Sequence, residues 1–440
     1  MALKGFFLYL ILKKERFFLK KKDFIAVNER PSLLKTIPLS LQHLFAMFGS
    51  TVLVPILFGI NPSTVLLMNG VGTLFYIFIT KGQIPAYLGS SFAFIAPVTY
   101  VLENNGPEGY SYVLGGFLAV GVVLTLIALL VKLVGTGWID VLFPPAAMGA
   151  IVAVIGLELV PVAADMAGWI SADGTPVSMN IIIVSSLTLA MTIIYWVTLR
   201  GFLKIIPILL GIITGYVIAY FFGLVSFDTV SAASWVIAPE FYTMKIHWPS
   251  IIIILPAALV LIPEHIGHLF VTSNIVGKDL AKEPGLDRSL AGNGISTIIS
   301  SFFGSTPNTT YGENIGVLAI TRVYSTWVIG GAAILAMILS FNGKLTTLIS
   351  SIPVPVMGGI SLLLFGIIAA SGIRMLVEAK VDYSNSQNLI LTCTVLVVGI
   401  SGLEVSISEV VLSGMGLATV VAIILSLFFK VLDLLNLSNE

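Results

Sequence analysis

The sequence predicts an all-α polytopic membrane protein of fourteen transmembrane spans, arranged as two inverted repeats of seven. Three observations carry that expectation. Hydrophobic residues make up 57% of the 440 and charged residues only 10%, where soluble domains carry about 25% charged residues. Charges also fall at bilayer-sized intervals, since a spanning helix takes roughly 20 apolar residues. Lys35 to Lys81 encloses 45 uncharged residues, and Asp173 to Arg200 encloses 26. Third, the basic residues select one topology. With the N-terminus in the cytoplasm and fourteen crossings, 20 of the 22 Lys and Arg residues fall on the cytoplasmic side, leaving only Lys245 and Lys344 outside. Acidic residues fill the outer loops instead: Glu103, Glu108, Asp165, Asp173, Asp228 and Glu240. A wrong count at any point would scramble this positive-inside bias for every later loop.

The elements follow in order. Residues 1–26 form a basic, aromatic extension in which Lys13, Lys14, Arg16 and Lys20 to Lys22 interrupt any apolar run. No cleavable signal peptide is read there; an interfacial amphipathic helix on anionic lipid fits the composition. The first repeat, 27–225, holds spans at 37–59, 62–80, 84–101, 111–132, 141–162, 180–199 and 204–225. The first two fill the gap from Lys35 to Lys81. An extracellular loop with two tryptophans runs over 226–249. The second repeat and a short tail, 250–440, hold spans at 250–273, 287–303, 306–322, 323–341, 345–371, 388–407 and 409–430. An odd number of spans per half turns the second half upside down, the inverted-repeat plan of many secondary transporters. Both termini then lie on the cytoplasmic side of the cell membrane.

One span is a poor helix. Gly304, Ser305, Pro307, Asn308, Thr309, Thr310 and Gly312 crowd the tenth, and Glu313 follows at once. Irregular backbone survives at membrane depth only when buried in protein or lining a cavity. The third span carries a similar breaker, LGSSFAF, from Leu88 to Phe94. Glu313 follows Ser91 by 222 residues, and Glu264 in the eighth span follows Gln42 in the first by the same 222. Paired interrupted spans point to a transporter's substrate site.

Two carboxylates, Glu264 and Glu313, belong to no loop or membrane edge. A charge at membrane depth is costly and marks a partner or a protonation role. On a helix His268 shares the face of Glu264, four residues on, so the two can share or pass a proton. Glu264-His265 and His268 do not make the HExxH zinc motif, and no metal is expected. Cys393, the only cysteine, excludes a disulfide. Carboxylates accept from N–H groups, backbone amides at half-helix N-termini donate to carbonyl oxygens, and Phe92 and Tyr311 can pack on a flat ring. The complementary solute is small, planar and neutral, with alternating N–H and C=O groups; a nucleobase such as uracil fits. An inorganic anion fits badly beside two carboxylates. A membrane sensor would want an appended signalling domain, and an intramembrane enzyme a nucleophile or metal constellation; neither is expected.

GENIGVLAITR, from Gly312 to Arg322, and Gln42-His43 in the first span resemble the two signatures of the nucleobase–ascorbate transporter family. The resemblance covers nearly the whole chain from about Val27 onward. It implies fourteen helices in two inverted sevens, core and gate domains, and short antiparallel strands in spans three and ten. It implies proton-coupled uptake of uracil or a related nucleobase, with the proton as coupling ion and no other cofactor. Glu264, Glu313, Phe92, Tyr311 and Gly312 would then bind the base, with Ser91 and Phe365 lining the pocket, and His268 would join Glu264 in proton coupling. Membrane lipid and a second copy of the chain are the expected partners, and no nucleic acid is. Phe365, in GISLLLFGIIAASG, departs from the Tyr expected at that position.

Overall fold

The computed structural model describes residues 24–171, 174, 176–407 and 410–438. Most of the basic extension, up to residue 23, lies outside the described residues. The rest is mostly helical. The first expected span, 37–59, is divided into α1 (Leu33–Ala46) and α2 (Phe48–Phe58), bent by 43°. Just before the bend, the His43 carbonyl accepts from both the Met47 amide at 3.3 Å and Asn314 Nδ2 at 3.1 Å. Gly59, at φ 66°, ends α2 in the left-handed region. The Asn61 side chain then accepts from the Ser63 amide at 3.0 Å and, with Pro62 behind it, opens α3 (Pro62–Ile79).

Next come β1 (Leu88–Ser90), a 3₁₀ turn at Phe92–Phe94, α4 (Ile95–Asn105) and the long α5 (Gly109–Val134). The expected span 141–162 is divided too. It becomes α7 (Pro145–Glu158) and α8 (Val160–Met166), after a short α6 (Gly137–Leu142). Pro161, in the first turn of α8, can donate no backbone bond, so the helix restarts there. α9 (Met179–Thr198) and α10 (Pro207–Phe221) complete this half.

The loop 226–249 contains a short helix, α11 (Asp228–Ala232), and is pinned along its length. Lys344 Nζ donates to the Val230 and Ser231 carbonyls at 2.9 and 2.6 Å, Tyr242 Oη accepts from the Asn61 amide at 2.9 Å, and Lys245 pairs with Glu108 at 2.6 Å.

The second half runs through α12 (Trp248–Ile254), α13 (Pro256–Val276), α14 (Leu286–Phe302), β2 (Asn308–Thr310), α15 (Gly312–Thr321) and α16 (Thr326–Ser340). The expected span 345–371 is divided into α17 (Gly343–Ser350) and α18 (Val354–Glu378). The last two expected spans, 388–407 and 409–430, also differ. α19 (Ser386–Ile400) stops before Gly402, which sits at φ 70°. The apolar residues beyond it form an antiparallel hairpin, β3 (Glu404–Ile407) with β4 (Val410–Ser413), ahead of α20 (Gly414–Leu434). A three- or four-residue apolar run reads as helix or strand alike until its partner is known.

Because so many spans are broken, length and composition alone pick out seven helices able to cross a membrane among the described residues, or eight with the bent α1–α2 pair. α10, α16 and α19 are apolar but shorter. The helices pack in two groups. α14 lies on α5 and α3, and α16 on α3 and α1. In the other group α18 lies on α7 and α9, α9 on α10, and α19 on α7 and α20. α13 touches both groups, meeting α15 on one side and α7 and α20 on the other.

Candidate functional site

The expected breaks in spans three and ten meet as one small sheet. β1 and β2 pair antiparallel, with Leu88 opposite Thr310, Gly89 opposite Thr309 and Ser90 opposite Asn308. Three-residue strands are too short to hold together alone. Two threonines clasp them. Thr73 of α3 accepts from the Leu88 amide at 2.9 Å and donates to its carbonyl at 3.4 Å. Thr297 of α14 does the same to Asn308, accepting at 3.1 Å and donating at 3.3 Å. Each threonine holds both backbone groups of one strand residue, which the sheet would otherwise leave unpaired. Ser90 Oγ and Thr306 Oγ1 add a hydrogen bond of 2.6 Å.

A helix starts directly after each strand, at Phe92 and at Gly312, so two half-helix N-termini with positive dipole ends lie at the sheet. The first is capped by Ser91 Oγ, which accepts from the Ala93 amide at 3.2 Å. Gly89 has a specific reason to be glycine: a Cβ there would lie 2.2 Å from the ring of Tyr311. The Tyr311 ring therefore lies across the β1 backbone, and its amide donates to the Tyr87 carbonyl at 3.0 Å.

Glu313, in the first turn of α15, is half-buried and accepts from Ser50 Oγ of α2 at 3.2 Å. Glu264, on α13, is half-buried too and neighbours Ser91 and Glu313. Its Oε2 is buried and has no hydrogen-bond partner. His268, one turn further along α13, shares a 3.1 Å hydrogen bond through Nδ1 with Thr310 Oγ1, and its Nε2 faces Gly312. Among the described residues no hydrogen bond joins Glu264 to His268. Phe92 packs edge-on against Phe365 of α18 with centroids 5.9 Å apart, and the Phe365 ring is fully buried. The structure thus gathers every expected site residue around one sheet, with side chains from α2, α13 and α18.

Residues that the sequence alone did not single out complete the surround. Ser50 and Thr310 are small hydroxyl residues in apolar or broken stretches, with partners 263 and 42 residues away. Asn314 Nδ2 donates to the carbonyl and Nδ1 of His43, which pins the start of α15 to α1 and gives both signature residues a structural part. Glu158, which sequence reasoning left at a membrane edge, is a third interior carboxylate. Its Oε2 accepts from the Met415 amide at 2.9 Å, and so it caps α20. It borders a cavity of about 40 Å³ with Tyr100, Pro256 and Met415, whose lining includes neither Glu264 nor Glu313.

Broken helices meeting over interior carboxylates define a multi-pass membrane transporter rather than an enzyme. Residues 34–408 match the model of the Permease family that covers xanthine and uracil permeases, and the chain belongs to that family. It is 64% identical over 423 residues to a uracil permease of Paenibacillus larvae, spanning 96% of this chain and all of that one. It is 62% identical to a uracil permease of Escherichia coli K12 over 94% of this chain and 95% of that one, and 49% identical to one of Bacillus subtilis over 93% and 95%. Among solved structures it is similar in fold to the transmembrane domain of the cyanobacterial bicarbonate transporter BicA, with a TM-score of 0.63 and 13% identity, covering 91% of this chain and 98% of that one. The murine solute carrier 26 family member A9 anion transporter gives 0.65 at 10% identity, over 94% and 69%.

Proposed function

We propose that this chain imports uracil together with a proton across the cytoplasmic membrane by alternating access. One observation carries the reading: Glu264 and Glu313 face one site beside two helix N-termini, with aromatic rings at its edges. Carboxylates accept the ring N–H groups of uracil, and backbone amides at Gly312 and Phe92 donate to its carbonyls. Glu313, Glu264, Phe92, Tyr311 and Gly312 bind the base, and Ser91 and Phe365 support the pocket wall. Two carboxylates disfavour an anion at this position. The relatives of 49–64% identity named uracil permease support the choice of base.

The same reading takes the chain as fourteen spans in inverted repeats, 27–225 and 250–440, joined by the loop 226–249. Packing supports it: α5 on α14 has its counterpart in α16 on α3, and α9 on α10 in α19 on α20. The Thr73 and Thr297 clasps repeat in the same way. The group containing the sheet acts as the core, and α7, α9, α10 and α18 to α20 as the gate. The core moves against the gate, carrying uracil together with the coupling proton held by Glu264 with His268. Both termini face the cytoplasm, lipid surrounds the spans, and two copies assemble as a dimer. Coupling requires the protonated site to bind uracil better than the deprotonated one, because a ligand shifts an equilibrium only by its differential affinity.

Uptake into proteoliposomes tests this. An inward-acid gradient should drive uracil accumulation, with xanthine and sulfate competing poorly. Equal accumulation without the gradient would refute coupling, and a Glu313→Gln variant that binds uracil normally would refute the site.

A further inference from the structure

Behind the sheet, a chain of side chains leads away from His268. Thr310 Oγ1, already bonded to His268 Nδ1, lies 3.4 Å from His265 Nδ1. His265 Nε2 and Ser289 Oγ share a hydrogen bond of 2.8 Å, and Ser289 Oγ and Tyr76 Oη share one of 2.6 Å. His265, Ser289 and Tyr76 are all buried, with exposures of 1%, 0% and 0%, so bulk water does not interrupt the chain. It runs toward one end of the molecule. Ser289 lies in the first turn of α14 and Tyr76 in the last turn of α3. That end carries Lys81, Lys278, Lys282 and Arg288, the basic side that faces the cytoplasm.

A buried histidine is often only a structural peg. His265 has a feature that a peg does not need. Asn293 Nδ2 lies 2.8 Å from His265 Nδ1, while Asn293 Oδ1 is buried with no partner. An amide presents a donor in one orientation and an acceptor after a half-turn, so Asn293 satisfies either tautomer of the ring. A ring that takes a proton at Nδ1 and gives one up at Nε2 must change tautomer. The other titratable groups beside His265 are Tyr76, packed edge-on with centroids 6.4 Å apart, and His268, joined to it through Thr310 Oγ1.

We propose that Thr310, His265, Ser289 and Tyr76 form the route by which the proton leaves the Glu264–His268 site for the cytoplasm. This rests on the proton-coupled reading above. Each hop breaks one O–H or N–H bond and makes another. Thr310 hands its proton to His265 Nδ1 and is refilled from His268. Nε2–H passes to Ser289 Oγ, whose own proton goes to Tyr76 Oη, and Tyr76, fully buried in this conformation, releases one to water at the end of α3 when the core moves against the gate. One positive charge crosses, and Asn293 turns to accept from the new Nδ1–H.

The test uses full-length protein in proteoliposomes, comparing wild type with Tyr76→Phe, which keeps the ring, and Ser289→Ala, with Ser289→Thr as the conservative rescue. Losing one proton-transfer group should slow gradient-driven net uptake at least about tenfold. Uracil–uracil exchange, which needs no net proton release, and uracil affinity should stay within about twofold, and Ser289→Thr should restore net uptake. Net uptake at the wild-type rate in both variants would overturn the proposal, and so would exchange falling in step with net uptake. A wild type that fails to couple overturns this and the proposed function together; a coupled wild type with unaffected variants overturns this alone.

Discussion

Replacing Gly89 by Ala is the sharpest local perturbation of the site. The added methyl would lie 2.2 Å from Cε2 and Cζ of Tyr311 and 2.5 Å from its hydroxyl. Carbon atoms rest at about 3.5–4.0 Å, so the ring has to retreat by roughly 1.3–1.8 Å. Tyr311 is buried and tied by its amide to Tyr87, and it is the residue from which α15 starts. Its retreat therefore moves Gly312 and Glu313 as well. Overpacking of this kind costs about 1–3 kcal/mol. If that cost falls on the binding-competent state, uracil affinity drops roughly 5- to 150-fold. Isothermal titration of purified protein with uracil measures it, alongside thermal unfolding. Gly330→Ala on α16 is the control, since its nearest neighbours stand 3.8 Å away; it should bind and melt as wild type. With the ring removed, Gly89→Ala should add no further cost, so Tyr311→Ala and the Gly89→Ala, Tyr311→Ala pair should melt and bind alike. Wild-type affinity in Gly89→Ala would refute the placement of Tyr311 across β1.

Ser50→Ala removes the hydroxyl that donates to Glu313 and should weaken uracil binding by about 1 kcal/mol, roughly fivefold, read in the same titration. Glu158→Ala uncaps α20 and should cost about 0.5–2 kcal/mol of stability, seen as a lower melting temperature. Glu158→Gln, which keeps an acceptor oxygen, should retain most of it. Lys245 and the Tyr112 hydroxyl both bond to Glu108 and hold its carboxyl below the usual range. The tether of the loop is then present at neutral pH and lost only as pH falls through that lowered value. Hydrogen exchange over residues 241–246, corrected for intrinsic rate, should match between about pH 7 and 5 and rise at both in Lys245→Met.

The breaks were legible where composition forced them. No membrane helix tolerates the run from Gly304 to Gly312, and Leu88 to Phe94 carries the same signal more weakly. Glu264 and Glu313 stood out because a carboxylate at membrane depth needs a reason. The bend at Met47 did not stand out, because the side chain that meets α1 beside it, Asn314, lies 271 residues beyond His43. The β3–β4 hairpin was hidden by its own apolarity: Val405, Val411 and Leu412 suit a membrane helix as well as a strand. Glu158 was misplaced because a carboxylate that caps another helix near a membrane edge has the same sequence surroundings as one facing water. Ser50 and Thr310 illustrate the general limit. Hydroxyls are common in apolar helices, and only the partner across the fold distinguishes a site residue from one bonded to its own backbone.

The sheet at the centre of the site has a consequence for assembly. Asn308 follows Leu88 by 220 residues, and neither three-residue strand has a pairing partner within its own half. Each half, through Thr73 or Thr297, can fix only the anchored edge of its strand. During synthesis the first strand waits without its partner, and the solute site does not exist until β2 and α15 have been made. A chain stopped after α10 would keep helices that can pack and would have nothing to carry. Contacts this distant in sequence form late, because the intervening chain must be ordered first. In this molecule the capacity to recognise a solute therefore arrives with the pairing of two strands 220 residues apart rather than with any single helix.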